Sequence, residues 1–130
     1  MLPTASGADV YRRLHVESRT PLELVVMLYD GALTRVAEAR AAMDRGDLHA
    51  FRDAIGRALG IIAELQNTLD VKAGGTIATS LDSLYSFVTT GLMEASARKS
   101  AVTLDGVEAV LSILRDAWLE ISSRPPGDAP

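Results

Sequence analysis

The sequence predicts an all-α fold, an antiparallel four-helix bundle. Three observations predict it. Four segments of about 20 residues carry apolar side chains at i, i+3, i+4 and i+7, the spacing of one helix face. Short breaks separate them at Arg45-Gly46-Asp47, around Gly74-Gly75 and at Arg98-Lys99-Ser100. No segment alternates apolar and polar residues as a half-buried strand would. Short connections make consecutive helices antiparallel neighbours, each about 30 Å long. The bundle is expected over residues 19–121, between an N-terminal segment, 1–18, and a tail, 122–130.

Within residues 1–18, Val10, Tyr11 and Leu14 suggest a brief helix, too short to persist unless it docks. The first long helix opens on a capping box, with Thr20 as cap, Pro21 in the first turn and Glu23 three residues on. It runs to about Asp44, with Leu22, Val25, Val26, Tyr29, Leu33 and Val36 on its core side. Asp47 caps the second helix, whose stripe is Leu48, Phe51, Ile55, Ala58, Ile62, Leu65 and Leu69. Gly74-Gly75 breaks the chain, and Thr76 is expected to cap a third helix with the stripe Ile77, Leu81, Leu84, Val88, Leu92 and Ala95. Arg98 and Lys99 close that helix with positive charge, which its dipole favours. Thr103 is expected to cap the fourth, where Leu104, Val107, Leu111, Leu114, Trp118 and Ile121 share a face. The proline-rich tail is expected to be disordered.

Composition narrows the function. The chain has 130 residues, is 48% hydrophobic and only 5% aromatic, so an aliphatic core is expected. A net charge of −4 argues against nucleic acid and anionic membranes. Cysteine is absent, which removes disulfides and thiolate chemistry. The first ten residues lack the pattern of a secretory signal. The longest apolar run is six residues, LVVMLY, against the roughly 20 of a spanning helix. A cytoplasmic protein without membrane insertion is expected.

Surplus apolar surface is the functional signal. Leu24, Met27, Leu28 and Gly31 form a second stripe on the first helix. On the fourth, Gly106, Val110, Ile113 and Ala117 run beside the core stripe. Covering Leu24, Met27 and Leu28 would contribute on the order of 5 kcal/mol, and left wet they invite aggregation. Three coverings are open: the monomer's own core, a second copy, or a foreign helix. Gly56, Gly60 and Ala63 line the second helix, where each interior glycine costs roughly 1 kcal/mol relative to alanine, so close contacts are expected there.

Signals of catalysis are weak. No glutamate has a histidine three residues on, as a di-iron bundle requires. His15 and His49, the only histidines, sit outside helix interiors, which disfavours phosphotransfer. Gly74-Gly75 lacks the GK[ST] of a phosphate-binding loop. Asp30 and Asp70 are expected on polar faces or helix ends. Neither an enzymatic activity nor a cofactor or metal is expected.

Five elements in order give the chain a family resemblance over about residues 8–121. They are Tyr11 in the N-terminal segment; Thr20-Pro21 followed by LELVVMLYDGAL; IGRALGIIAELQNTLD; SLDSLYSFVTTGLMEAS; and VEAVLSILRDAWLEI. Together they resemble the flagellin-specific export chaperones, the FliS family. Thr90-Gly91 stands where the family commonly has two arginines, Ser96 where asparagine is usual, and SSRPPGDAP has no family pattern.

The resemblance implies a cytoplasmic four-helix bundle that binds the C-terminal segment of newly made flagellin. Such chaperones hold it unpolymerised for flagellar type III export. The client, disordered when free, wraps around the chaperone and forms helices in its apolar grooves, and the N-terminal segment covers part of that site until displaced. Helix-wheel geometry then assigns Leu24, Met27, Leu28 and Gly31, with Val110 and Ile113, to the grooves, and Tyr11 and Leu14 to the cover. The export apparatus, a co-chaperone and a second copy are further candidate partners. A structural homodimer without a client is the alternative.

Overall fold

The computed structural model describes residues 20–123. Tyr11, Leu14 and His15 lie outside the described residues, as does the tail beyond Ser123. The described residues form four helices, α1 Pro21–Asp44, α2 Leu48–Asn67, α3 Val71–Arg98 and α4 Ala101–Ser122.

The caps follow local chemistry. Thr20 accepts a hydrogen bond from the Glu23 amide at 3.2 Å, and its hydroxyl donates to the Glu23 carboxylate at 3.1 Å. Asp47 accepts from the Ala50 amide at 3.0 Å, after a turn that holds Gly46 at φ +74°. Two expected caps are displaced. Ser100, not Thr103, caps α4, accepting from the Thr103 amide at 3.2 Å. Asp70, not Thr76, opens α3, accepting from the Ala73 amide at 3.1 Å. In both cases the observed cap accepts from the backbone amide three residues on. The break at Gly74-Gly75 survives inside α3 as a bend. Gly75 holds φ 56°, ψ −133°, a conformation that glycine alone adopts readily.

Cross-helix contacts run in opposite senses and fix the topology. Gly31 faces Ile61 between α1 and α2. The Gln66 amide donates to the Asp82 carboxylate (2.9 Å) and the Ser86 hydroxyl (3.2 Å) between α2 and α3. Gly91 meets Val107 between α3 and α4. Asp30 pairs with Arg115, and Arg40 with Asp105 and Glu108, between α1 and α4. The bundle is therefore up-down-up-down, with each helix packed against two neighbours. Thr20, the α2–α3 junction and the end of α4 share one end.

The core is mostly aliphatic, but contrary to expectation its largest fully buried side chains are aromatic, Tyr29, Tyr85 and Phe51, and its seams differ in detail. On α1 the buried residues are Val26, Tyr29, Ala32, Val36, Ala39 and Ala42. Three alanines replace the bulk expected from Leu22, Val25 and Leu33, which are half-buried. Small side chains let α1 settle closely on its neighbours. On α3 the buried line is Ala78, Leu81, Tyr85, Val88, Leu92 and Ala95. Tyr85 takes the place expected of Leu84, which sits half-buried at the edge. Ile77 is 73% exposed, contrary to its expected core place, because the buried line of α3 runs through its neighbour Ala78 instead. Ile121 and Leu48, near bundle ends, are likewise exposed.

Candidate functional site

Three of the sequence elements that carried the resemblance meet in space. The hydroxyls of Tyr29 on α1 and Tyr85 on α3 share a buried hydrogen bond of 2.5 Å. The indole N–H of Trp118 on α4 donates to the Tyr29 oxygen at 3.3 Å. Arg115, one turn before Trp118, donates to the Asp30 carboxylate at 2.7 Å. Burial pushes both tyrosine pKa values up, since an ionised phenolate would lose its hydration. For Tyr29, hydrogen bonds from Tyr85 and Trp118 oppose that shift in part. The Asp30 carboxylate raises the Arg115 guanidinium further above its usual range. These groups tie α1, α3 and α4 together. The two buried hydroxyls and the indole N–H bond to one another, which helps to fix the shape of the bundle.

The surplus apolar surface lies outside this lock. Asp105, Glu108 and Arg115 turn one flank of α4 toward α1. Val107 turns the other toward α3. Gly106, Val110, Ile113 and Ala117 lie on the Val107 side at helical spacing. On α3, Asp82 and Ser86 face α2, and Gly91 faces α4. Leu84 and Phe87 lie on the Gly91 side. The seam between α3 and α4 is therefore apolar on both banks, with Phe87 57% and Ile113 70% exposed. From Ile77 to Gly91 it spans 15 residues, or about 21 Å. Its far end opens into a shallow cavity of about 340 Å³ lined by Leu69, Ile77, Ala78, Leu81 and Trp118.

The second stripe of α1 occupies the opposite side. Gly31 packs toward Ile61 of α2, and Leu24 and Leu28 lie on the Gly31 flank. Both leucines are half-buried, and Leu28 packs against the core. Met27 is half-buried and lines a separate groove between α1 and α4, beside Val26, Asp30, Arg115 and Leu119. The six groove residues assigned from the sequence thus fall on two opposed seams, with Met27 between. Val110 is half-buried against the core, with Ile113 beyond it in solvent.

Sequence periodicity missed Phe87 as a surface residue. The signal was present, since Phe87 falls outside the α3 stripe and one turn before Gly91. Gly56 and Gly60 do not serve the close contacts expected within the chain, for a Cβ added at either would meet nothing within 4 Å. His49 is exposed in the first turn of α2. Among the described residues, no cluster of histidine, aspartate or glutamate could hold a metal ion, and no helix is long and apolar enough to cross a membrane.

Comparison with known proteins agrees with this architecture. Residues 4–125 match the family model described as flagellar protein FliS. The chain is 37% identical over 126 residues to the flagellar secretion chaperone FliS of Salmonella typhimurium, covering 93% of both chains. It is 35% identical over 116 residues to the flagellar secretion chaperone FliSB of Pseudomonas aeruginosa, covering 86% of this chain and 92% of that one. It is 32% identical over 117 residues to the FliS of Vibrio cholerae, covering 87% and 86%. A match across nearly the whole length, on a four-helix bundle whose shared motifs interlock, places the chain in the FliS family of flagellar secretion chaperones.

Proposed function

We propose that this protein is a cytoplasmic export chaperone that binds the C-terminal segment of flagellin and keeps it unpolymerised for flagellar type III export. One observation carries the proposal: large apolar side chains stand in solvent along the α3–α4 seam, where an isolated fold gains nothing from them. Covering Phe87, Val110 and Ile113 with a client helix would contribute on the order of 5 kcal/mol. A disordered client needs such contacts to offset the entropy it loses on folding.

The client would lay an amphipathic helix of about four turns along the α3–α4 seam. Leu24, Leu28 and Gly31 on the opposed seam, with Met27 beside it, would receive a second stretch of the same wrapping chain. Residues on opposite sides of the bundle suit a client that encircles it better than one seated in a single groove. Tyr11 and Leu14 would cover part of this surface before the client arrives. The action is sequestration, because the apolar face through which flagellin polymerises is covered, and no bond is made or broken. Neither a cofactor nor nucleic acid takes part. The export apparatus, a co-chaperone or a second copy would dock elsewhere on the bundle.

Calorimetric titration with a synthetic peptide of the flagellin C-terminal segment tests the proposal. Saturable binding with a negative heat-capacity change is expected, the signature of apolar burial. A client-free homodimer, the competing possibility, would give no heat with the peptide and twice the monomer mass by light scattering.

A further inference from the structure

Two glycines inside the helices face a side chain of another helix: Gly31, where an added Cβ would lie 3.3 Å from Ile61 Cδ1 of α2, and Gly91, which faces α4. A Cβ added at Gly91 would sit 2.8 Å from Val107 Cγ2 and 4.0 Å from Thr103 Cγ2. Distances under 3 Å force something to move. Val107 is buried and β-branched, so its side chain has little rotamer freedom with which to yield. At Gly56, Gly60 and Gly106 the same addition meets open space. At Gly91, therefore, a buried side chain of α4 occupies the space that a Cβ on α3 would need. It lies one turn from Phe87 on one bank of the apolar seam, and Val107 lies one turn from Val110 on the other.

We propose that Gly91 is a positioning residue for client binding. By admitting Val107 against the α3 backbone, it holds the two banks at the spacing that lets one client helix touch Phe87 and Val110 with Ile113 at once. This rests on the α3–α4 seam being the client groove. A methyl group at position 91 would wedge the helices apart, and packed interiors transmit such displacements instead of absorbing them. The client helix would then span a gap too wide to fill from both sides.

The test is a set of calorimetric titrations with the flagellin C-terminal peptide, run beside thermal melts. The parent binds. Gly91→Ala binds roughly tenfold more weakly, and Gly60→Ala stays within about twofold of the parent. Val107→Ala removes the atom that the new methyl group would strike. Alone it lowers the melting temperature, and combined with Gly91→Ala it restores binding to the level of Val107→Ala alone. Affinity and stability thus rank the variants differently, which a purely structural role would not produce. Val107→Ile presses on the same contact from α4 and should weaken binding likewise, so it carries the test if Gly91→Ala fails to fold. Parent-like affinity in Gly91→Ala, or in Val107→Ile where that variant carries the test, overturns the inference. So does a double variant as weak as Gly91→Ala alone. A parent that does not bind overturns the proposed function itself, and this inference with it.

Discussion

Replacing Ile113 by aspartate separates folding from client binding. Ile113 is 70% exposed, so the fold gains little from it. Substitution at such a site typically shifts stability by no more than about 0.5 kcal/mol. Asp116, three residues on, adds like-charge repulsion of a few tenths of a kcal/mol. Binding is different. Full burial of an isoleucine is worth about 1.5–3 kcal/mol, so covering its exposed share contributes about 1–2 kcal/mol. A carboxylate pressed against an apolar helix adds at least about 1 kcal/mol of desolvation. A loss of about 2–3 kcal/mol weakens binding roughly 30- to 150-fold. The assay pairs calorimetric titration of Ile113→Asp with a melt followed by circular dichroism. Leu111→Asp, two residues away but fully buried, serves as the contrast and should unfold the bundle. Unchanged affinity in Ile113→Asp would remove α4 from the client site. A collapsed melt would show that Ile113 belongs to the interior, and that the surplus-surface argument fails.

Three further outcomes are expected. Alkaline titration should destabilise the bundle. Burial raises the pKa of both Tyr29 and Tyr85 above the value near 10 at which unfolded tyrosines release their protons. Stability is therefore fully present below about pH 10 and falls above it by up to about 1.4 kcal/mol per pH unit for each ring. Melts of Tyr85→Phe between pH 9 and 12 should show a shallower decline, and an identical slope would contradict the burial of that hydroxyl. Lys99 ends α3 in the left-handed conformation, φ 53°, ψ 48°, so Lys99→Gly should raise stability by about 1 kcal/mol, and a lower melting temperature would oppose this. Deleting residues 1–15 should leave client affinity unchanged or raise it, whereas a large loss would make that segment part of the site and not its cover.

The four helices were legible because each carries its own punctuation. Thr20-Pro21, Asp47 and the bend at Gly75 all appear where the residue types demand them. Periodicity also found most of the core, but it cannot rank residues lying within one apolar arc. Leu84 and Tyr85 are adjacent candidates for one seam, and only the hydroxyl partner on α1 decides for Tyr85. Likewise Ile77 and Ala78 are adjacent candidates for one seam, and Ala78 takes the buried place. Caps failed for a related reason. Ser100 and Thr103 are both able to cap, and their hydroxyls lie 3.1 Å apart. Surplus stripes on α1 and α4 were visible in the sequence, yet a single helix wheel does not say which neighbour each flank faces. That depends on long-range pairs such as Gly31 with Ile61 and Gly91 with Val107. Leu28 illustrates the consequence. Its stripe was legible, but its packing against the core makes Leu28→Asp a mixed probe of folding and binding.

A photoreactive side chain on the α3 bank gives the most direct check that the client helix lies along the α3–α4 seam. The group is placed at Phe87, with a matched placement at Gly60, where α2 faces open space. After irradiation with the flagellin peptide, mass spectrometry should find the cross-link from position 87 and little from position 60. Full binding with equal yields at both positions, or with none at 87, would mean that the client sits somewhere else on the bundle.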